Sequence, residues 1–322
     1  MRRAFAALLT ATALVFAAGC GGATANKPAA KPPAGQPDKV NAGVIAIVDV
    51  APIYLGKQKG FFAKRNIELN LTTAQGGAAI VPAVTSGQLQ VGFSNVTSLL
   101  LATSKGVPLK VICNGTASTG ENGKDYSGII VKADSPIKTA ADLAGKTVAV
   151  NTLKNIGDTT VRASVRKAGG DPKAVKFVEL AFPDMPAALQ AGRVNAIWVV
   201  EPFVTAATSG GGRLIASNFV DAAPNLTVAT YFTSTQFAST NPDLVKRFTE
   251  AMTESNAYAD ANPDAVRQIL STYTKITPDV AAKLILPRWP KDINRESVQT
   301  MADLAKGDGL LEKAPDINAL LP

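Results

Sequence analysis

Short apolar or alternating segments recur along the chain between stretches whose apolar positions repeat every three to four residues. The first pattern is typical of β-strands and the second of amphipathic helices. The pattern predicts strands at residues 44–48, 67–72, 91–94, 109–113, 128–132, 147–150, 175–180 and 196–200. Because strands and helices alternate in this way, the chain is expected to be an α/β protein built from parallel βαβ units.

Glycines and capping residues mark the ends of the predicted helices. Gly76 and Gly77 open a helix that ends before Gly87, and Asn95 is placed to cap a second helix that ends at Gly106. Further helices are expected over 157–168 and 185–191. After residue 241, the triplets at 241–243, 262–264 and 277–279 each combine a capping residue, a proline and an acid, so the C-terminal part is expected to be helical.

Residues 83–93 and residues 188–198 show a weak internal similarity. Each segment contains the end of a predicted helix, a glycine and then a strand. Two lobes of similar design would explain this similarity, and so would the order of elements that all βαβ units share. The sequence leaves both explanations open.

The first twenty residues have the layout of an export signal: Arg2 and Arg3 precede an apolar run from Ala4 to Ala18, and small residues up to Cys20 follow. The sequence Phe-Ala-Ala-Gly-Cys at 16–20 resembles a bacterial lipobox, in which the cysteine carries lipid after cleavage. We therefore expect a signal peptide at 1–19, lipidation of Cys20, and a flexible Pro- and Gly-rich tether at 20–39. The protein would then be exported and lipid-anchored to the outer face of the cell membrane. The alternative is an ordinary signal peptide with a chance cysteine.

The composition excludes several kinds of chemistry. The 322 residues include no histidine and two cysteines, so Ser-His-Asp and Cys-His nucleophile systems, histidine-bound zinc and Cys₄ clusters are ruled out. Cys113 follows an apolar stretch and is expected to be a buried small residue. The Gly145-Lys146-Thr147 sequence ends like a P-loop, but the loop's first glycine is missing and a strand follows instead of a helix. We expect no catalytic residues, no cofactor and no metal.

Charge does not indicate a nucleic-acid partner. The formal net charge is +8, or +6 without Arg2 and Arg3, and basic residues are interleaved with acids along the chain. A basic stripe with aromatic residues, which nucleic-acid binding favours, is missing from the sequence.

Polar, glycine-rich turns follow several of the predicted strands. In open α/β sheets, ligands bind outside the carboxyl ends of the strands, and helix N-termini there suit anionic groups. The turns contain these candidate ligand-binding residues: Asp49, Tyr54, Gly76, Gly77, Ser94, Asn95, Val96, Thr97, Asn151, Gly157, Asp158, Thr159 and Asp184. Together they are expected to line one cleft.

Two further candidates, Trp198 and Glu201, lie at the end of an apolar strand. Trp198 is either a core residue or a platform that stacks on a ligand. Glu201 is either an acid at a helix N-terminus or an acceptor for a ligand amine or ring N–H.

Four segments carry a resemblance to a known family. Residues 51–64, 76–87, 142–150 and 188–197 resemble the periplasmic-binding-protein-like subunits of ABC importers for nitrate, sulfonates, taurine and pyrimidine precursors. The likeness spans about 40–237. It implies a type II binding-protein fold, with two α/β lobes joined by two crossover strands and a helical C-terminal segment. On this basis the crossovers lie near 128–132 and 227–233, lobe 1 comprises 40–132 and 232–322, and lobe 2 comprises 133–231.

The resemblance also implies a function. Such a subunit captures a small solute between its lobes and delivers it to a membrane permease; it is not an enzyme, and we expect a monomer. A sensor or free-standing enzyme on the same fold, or a structural surface lipoprotein, are the alternatives. One enzyme of the superfamily, a pyrimidine synthase, consumes its own histidine, and this chain has none.

The chemistry of the ligand is left open by the resemblance. A sulfonate, nitrate, an aromatic or other organic acid, and an N-heterocycle such as a pyrimidine all suit the group. The candidate loops hold Lys154 and no arginine, and they contain four acids: Asp49, Asp158, Asp184 and Glu201. An amine-bearing or N-heterocyclic solute fits these acids better, and an organic acid is the alternative.

Overall fold

Two mixed β-sheets organise residues 36–322, the part of the chain that the computed structural model describes. The predicted signal peptide, Cys20 and most of the predicted tether lie outside these residues. The strands are β1 (Asp38–Val44), β2 (Ile67–Thr73), β3 (Val91–Asn95), β4 (Leu109–Ala117), β5 (Ser127–Lys132), β6 (Thr147–Val150), β7 (Lys176–Glu179), β8 (Ala196–Val200), β9 (Gly212–Ala216) and β10 (Thr227–Ser234).

The helices alternate with the strands until β10 and then dominate. They are α1 (Ala51–Gln58), α2 (Gly77–Thr85), α3 (Val96–Ser104), α4 (Ile156–Lys167), α5 (Met185–Gln190), α6 (Phe203–Ser209), α7 (Asn218–Ala222), α8 (Thr235–Thr240), α9 (Pro242–Ala261), α10 (Pro263–Ile269), α11 (Pro278–Lys283), α12 (Arg295–Gly307) and α13 (Ile317–Leu320). In the described range, none of these helices combines the length and the apolar character needed to cross a membrane.

The two sheets share one topology. The first has the strand order β2-β1-β3-β10-β4 and the second the order β7-β6-β8-β5-β9. In each sheet the first three strands are parallel and the fourth, β10 or β5, runs antiparallel to both of its neighbours. We call the parts built on these sheets lobe 1 and lobe 2. The expected α/β fold is confirmed, but the sheets are mixed rather than wholly parallel.

The two similar segments, 83–93 and 188–198, lie at equivalent places in the two sheets. The strands β3 and β8 both lie third in order, and each follows a helix that ends at a glycine with positive φ, +79° at Gly87 and +68° at Gly192. Glycine adopts this left-handed conformation without the steric cost that a Cβ brings. The shared topology therefore favours the explanation by two similar lobes.

The C-terminal helices pack on lobe 1. The long helix α9 lies against α1, and the ring of Phe248 contacts that of Phe62 with centroids 5.4 Å apart. Both rings are buried. The three Pro-Asp triplets begin α9, α10 and α11 as predicted, with the proline in the first turn of each helix.

The first strand lies earlier than predicted. Residues 44–48 were expected to form it, but β1 ends at Val44 and residues 48–50 form a 3₁₀ turn. Ile45 and Ile47 are buried all the same. The backbone N–H of Val48 donates to the carbonyl of Glu201 in lobe 2 at 3.0 Å, so the chain after β1 finds a partner outside sheet 1.

The lobe boundaries also differ from the predicted ones. The strand β5 belongs to lobe 2 and β10 to lobe 1, and α7 packs on α4 and β5 of lobe 2, so the chain crosses between lobes in the segments 118–126 and 223–226, just before each strand. Both strands are central and buried. An apolar run of this kind shows that a strand is central but not which of two sheets receives it.

Candidate functional site

Three helix N-termini meet where the two lobes face each other. The helices α2 and α3 begin in lobe 1 after β2 and β3, and α4 begins in lobe 2 after β6. The Asn95 side chain caps α3 by accepting from the Ser98 N–H at 2.9 Å, as predicted. The Asn155 side chain accepts from the Ile156 N–H of α4 at 2.8 Å. Because α2 begins after Gly76, which has no side chain, its first N–H groups stay free of a side-chain cap.

Direct contacts join these N-termini across the lobes. The Ser98 hydroxyl and the Asn155 amide form a buried pair: Asn155 Nδ2 donates to Ser98 Oγ at 2.9 Å, and Ser98 Oγ donates to Asn155 Oδ1 at 3.1 Å. Asn151 Nδ2 donates to the Gln75 carbonyl at 3.3 Å. The lobes therefore touch at the predicted cleft.

The glycine pair at the start of α2 permits close approach on two sides. A Cβ added to Gly76 would lie 2.9 Å from Thr152 Oγ1 of lobe 2. A Cβ added to Gly77 would lie 1.9 Å from Ser94 Oγ at the end of β3. Gly76 therefore lets lobe 2 approach, and Gly77 lets α2 sit directly on β3.

The first turn of α3 adds a hydroxyl group. Thr97 is fully buried, and its Oγ1 has no hydrogen-bond partner among residues 36–322. The neighbouring Val96 is buried too, and Ser94 Oγ donates to the Asn95 carbonyl at 3.1 Å. A buried hydroxyl without a partner is costly unless a ligand or water completes its bonding.

Asp158 lies in the first turn of α4 and is buried. Its Oδ2 accepts from the Lys154 N–H at 3.0 Å. Burial raises the pKa of the Asp158 carboxyl to about 6, while the Lys154 N–H and the charge of Arg162 oppose the shift. The charge of Asp308, at the end of α12 in lobe 1, adds to the rise, and Asp308 pairs with Arg166 of α4 at 2.7 Å. The other carboxylate oxygen of Asp158, Oδ1, is buried and has no hydrogen-bond partner within residues 36–322.

Asp49 lies in the 3₁₀ turn after β1 and is 2% exposed. Its Oδ1 accepts from the Tyr126 hydroxyl at 3.2 Å, and its backbone carbonyl accepts from Trp289 Nε1 at 2.9 Å. Burial is the main cause that raises the pKa of the Asp49 carboxyl to about 7.

Tyr54 lies in α1 and is half-buried. Its ring stacks on that of Tyr273, with centroids 3.9 Å apart and planes 8° from parallel. The Tyr273 hydroxyl donates to the Ile47 carbonyl at 3.1 Å, which fixes this second ring. One face of Tyr54 is therefore covered by a neighbour of its own lobe.

Trp198 lies in the core of lobe 2. It is 2% exposed, its indole N–H donates to Ser127 Oγ at 3.1 Å, and its ring packs against Phe182 and Phe219. A Cβ on Gly157 would lie 2.6 Å from Trp198 Cε3, so this glycine serves the packing of α4 on β8. Of the two interpretations of Trp198, the structure shows the core one, and it gives Gly157 a packing role.

Glu201 joins lobe 2 to lobe 1. Its carboxylate accepts from the Thr205 N–H and hydroxyl at 2.9 and 2.7 Å, and from the Ile285 N–H of lobe 1 at 3.2 Å. Its backbone N–H donates to the Tyr126 carbonyl at 2.8 Å. Burial raises the pKa of Glu201 to about 7, against these hydrogen bonds. The interpretation as an acid at the start of α6 is the one that the structure shows, with a tie between the lobes in addition.

Thr159 and Asp184 are the remaining predicted site residues. The Thr159 hydroxyl donates to the Asn155 carbonyl of its own helix at 3.1 Å. Asp184 is exposed at the start of α5, where its side chain forms no cap. Cys113 is buried in β4, as expected.

The family of this chain follows from a match to a family model. Residues 47–266, more than half of the chain, match the family described as NMT1/THI5 like. The chain belongs to this family. The matched range begins just before Asp49 and ends within α10, so it includes all the helix N-termini described above.

Relatives of this NMT1/THI5-like chain are named as binding proteins. The taurine-binding periplasmic protein of Escherichia coli is 29% identical over 232 residues, which cover 71% of this chain and 69% of the relative. A putative aliphatic sulfonates-binding protein of the same organism is 28% identical over 195 residues, which cover 59% and 60%.

Solved structures with the same fold include the alkanesulfonate-binding protein SsuA from Xanthomonas axonopodis pv. citri bound to MOPS. It has a TM-score of 0.74 and 20% identity, and the match covers 90% of this chain and 99% of that one. The desulfurization enzyme DSZB also shares the fold, with a TM-score of 0.64 and 15% identity. The fold alone therefore does not separate binding proteins from enzymes.

These comparisons confirm the resemblance and the two-lobed binding-protein fold inferred from the sequence of this NMT1/THI5-like chain. The prediction of an exported solute-binding protein agrees with the periplasmic relatives. Sequence reasoning missed Ser98, Asn155 and Tyr126. Asn155 directly precedes a helix, and its capping signature was a signal for it; Tyr126 lies in a crossing segment and offered none.

Proposed function

We propose that this chain is the solute-binding subunit of an ABC importer and that it holds the anionic group of a small organic solute, a sulfonate or carboxylate, between its lobes. The observation that carries the proposal is the meeting of the N-termini of α2, α3 and α4 at the contact between the lobes. Free N–H groups and the positive ends of three helix dipoles favour an anion there.

The residues that we assign to this site differ in role. The N–H groups at Gly77, the unpartnered hydroxyl of Thr97 and the capped first turn of α4 would contact the anion. The Ser98–Asn155 pair forms only when the lobes are together, and so it would couple closure to binding. The match to taurine- and sulfonate-binding relatives supports a sulfonate as the preferred anion.

The proposal includes attachment to the membrane and delivery to a permease. Cleavage before Cys20 and lipidation of this residue would anchor the protein outside the cell, and the closed form would dock on an ABC permease. The replacement Cys20→Ala should release the protein from the membrane fraction. Mass spectrometry of the mature N-terminus should find a lipid-modified cysteine; an unmodified N-terminus would contradict the anchor.

A ligand screen tests the binding function. Purified protein is heated with taurine, alkanesulfonates, nitrate, organic carboxylates or pyrimidines. A ligand that binds the folded state at a hundred times its Kd adds about 2.7 kcal/mol to the free energy of unfolding, which is visible as a rise in Tm. A rise with sulfonates supports the proposal. No rise with any anion would contradict it, and turnover of a bound sulfonate by the isolated chain would favour an enzyme.

A further inference from the structure

One ion pair joins the two lobes. Arg166 Nη2 of α4, in lobe 2, lies 2.7 Å from Oδ1 of Asp308, which follows α12 in lobe 1. The other ion pairs within residues 36–322 each lie inside one lobe or inside a crossing segment. An interaction that bridges the lobes forms only when they are together, so this pair acts on the balance between open and closed forms.

The Asp308 carboxylate depends on the other lobe for its partner. Its side chain is 4% exposed, Oδ1 accepts from Arg166, and Oδ2 is buried with no hydrogen-bond partner among residues 36–322. Asp308 also stands at the C-terminal end of α12, where the negative end of the helix dipole disfavours a carboxylate. When the lobes separate, water solvates this carboxylate; when they meet, it loses that water and needs Arg166.

The charges on α4 add to this dependence. Asp158, Arg162 and Arg166 follow one another at intervals of four residues, which places them along one face of the helix. Burial and also the charge of Asp308 raise the pKa of Asp158, so the two acids repel each other across the lobes. Arg162 is engaged within lobe 2, where its guanidinium lies 5.1 Å from the centre of the Phe177 ring. Arg166 is therefore the cation of this face that offsets the charge of Asp308.

The pair lies away from the candidate site. Arg166 is near the C-terminal end of α4, about 15 Å along the helix axis from the N-terminus that faces the site. The helix α12 begins beside the second crossing segment, where Asn294 Nδ2 donates to the Asn225 carbonyl at 3.1 Å, and Asp308 follows its opposite end, about 20 Å away. A small solute at the N-terminus of α4 does not reach Arg166, so the pair affects binding through closure alone.

We propose that Arg166 and Asp308 form a latch that holds the lobes together from outside the cleft and sets the affinity for every ligand by the same factor. The inference rests on the proposed function, because a ligand held between the lobes reports on their closure. A protein whose binding-competent form is only partly populated binds with an affinity reduced by that fraction, so loss of the latch weakens all ligands alike. Arg166 and Asp308 are thus positioning residues.

Calorimetric titration with two sulfonates of different length, taurine and hexane-1-sulfonate, tests the latch. Arg166→Gln leaves Asp308 buried and unpaired, so both affinities should fall about tenfold, between the roughly fivefold limit for an exposed pair and the roughly thirtyfold loss for a buried one. Asp308→Asn should lower them less, about threefold, and should bring Arg166→Gln back to that level when the two are combined, because the unpaired charge is then gone. The control Lys167→Gln breaks a 2.9 Å pair with Asp221 inside lobe 2 and should leave both affinities unchanged.

Every result of these titrations supports or overturns the latch. It is overturned by unchanged affinity of Arg166→Gln, by losses that multiply in the double variant, by a loss confined to one probe, or by an equal loss in Lys167→Gln; the sulfonate site then still stands. If Arg166→Gln does not fold, Asp308→Asn alone gives the answer, since unchanged affinity of that variant contradicts the latch.

A second measurement separates the latch from the proposed function. If the wild type binds neither probe, the proposed function is contradicted, and small-angle X-ray scattering of the unliganded proteins decides on the latch. A larger radius of gyration for Arg166→Gln than for the wild type supports it, and an equal radius overturns it.

Discussion

Gly76 and Gly77 are neighbours in sequence, yet their replacement by alanine should have different effects. The Cβ of Gly76→Ala would meet side chains of lobe 2, with Thr152 Oγ1 at 2.9 Å and Asn151 Nδ2 at 3.2 Å. The Cβ of Gly77→Ala would meet Ser94 of lobe 1, from 1.9 Å at Oγ to 3.0 Å at the backbone Cα. The first change opposes closure of the lobes, and the second opposes the folding of lobe 1.

The magnitudes follow from these distances. Ordinary contact begins at 3.4 Å, so Gly76→Ala needs the Thr152 and Asn151 side chains of lobe 2 to move away from residue 76 by about 0.5 and 0.2 Å. The hydrogen bond from Asn151 to Gln75, already 3.3 Å long, is then lost. A net cost of about 0.5–1.5 kcal/mol for such a bond lowers ligand affinity roughly twofold to tenfold. The backbone of residue 76 is extended, which alanine adopts freely, so the unliganded protein should keep its Tm.

Gly77→Ala cannot be accommodated by a side-chain rotation, because the Ser94 backbone is also too close. Overpacking of this kind costs about 1–3 kcal/mol, so the Tm of the unliganded protein should fall. The control is Gly307→Ala, whose Cβ would meet nothing within 4 Å. Calorimetric titration and thermal unfolding of the three variants check the prediction. A role of Gly76 in the approach of the lobes is ruled out if Gly76→Ala lowers the unliganded Tm as much as Gly77→Ala does, or leaves the affinity unchanged.

Three further predictions concern single side chains. Ser98→Ala removes the pair with Asn155 and should lower sulfonate affinity about fivefold, since a net hydrogen bond contributes about 1 kcal/mol; an accompanying fall in the unliganded Tm would argue against a role in closure. Trp198→Ala should lower the free energy of unfolding by about 3–5 kcal/mol in urea titrations. Trp198→Phe should keep ligand affinity, and a large loss of affinity without a loss of stability would return this residue to the cleft. Burial raises the folded-state pKa of Asp49 and Glu201 to about 7. Protonation of these two carboxyls therefore stabilises the folded state at acid pH, and this contribution is lost as the pH rises through 7. The Tm of the unliganded protein should fall between pH 5 and pH 8. The fall should be smaller in Asp49→Asn, which lacks one of the two groups. A Tm that rises with pH over that range in the wild type would be inconsistent with these shifts.

The elements that local chemistry decides were predictable from the sequence. Asn95 caps α3, Gly106 ends it with φ +81°, and Pro242 begins α9. In each case the cause lies within a few residues of the effect, so a single sequence contains it. The first strand was placed too late because Ile45, Ile47 and Val48 are buried beyond the end of β1, where the Val48 N–H bonds to lobe 2 instead of to a neighbouring strand.

The contacts that assemble the candidate site were not predictable in the same way. Asp49 and Tyr126 are 77 residues apart, and Ser98 and Asn155 are 57 apart. Nothing in the local pattern around either member indicates the other. The position of Trp198 was not predictable either. The sequence of β8 is apolar throughout, and it would be the same whether the Trp198 ring faced a cleft or the core.

The way the chain divides between its two sheets has a consequence for folding. The strands of lobe 2 come from one continuous stretch, 127–216, whereas the sheet of lobe 1 needs β10 between β3 and β4. As the chain emerges from its N-terminus, lobe 1 lacks a central strand until residues 227–234 have appeared, by which point every strand of lobe 2 is present. Pairings between distant parts of a chain form slowly, because the loop between them must close first. The lobe that begins the sequence is therefore the one that we expect to finish folding last.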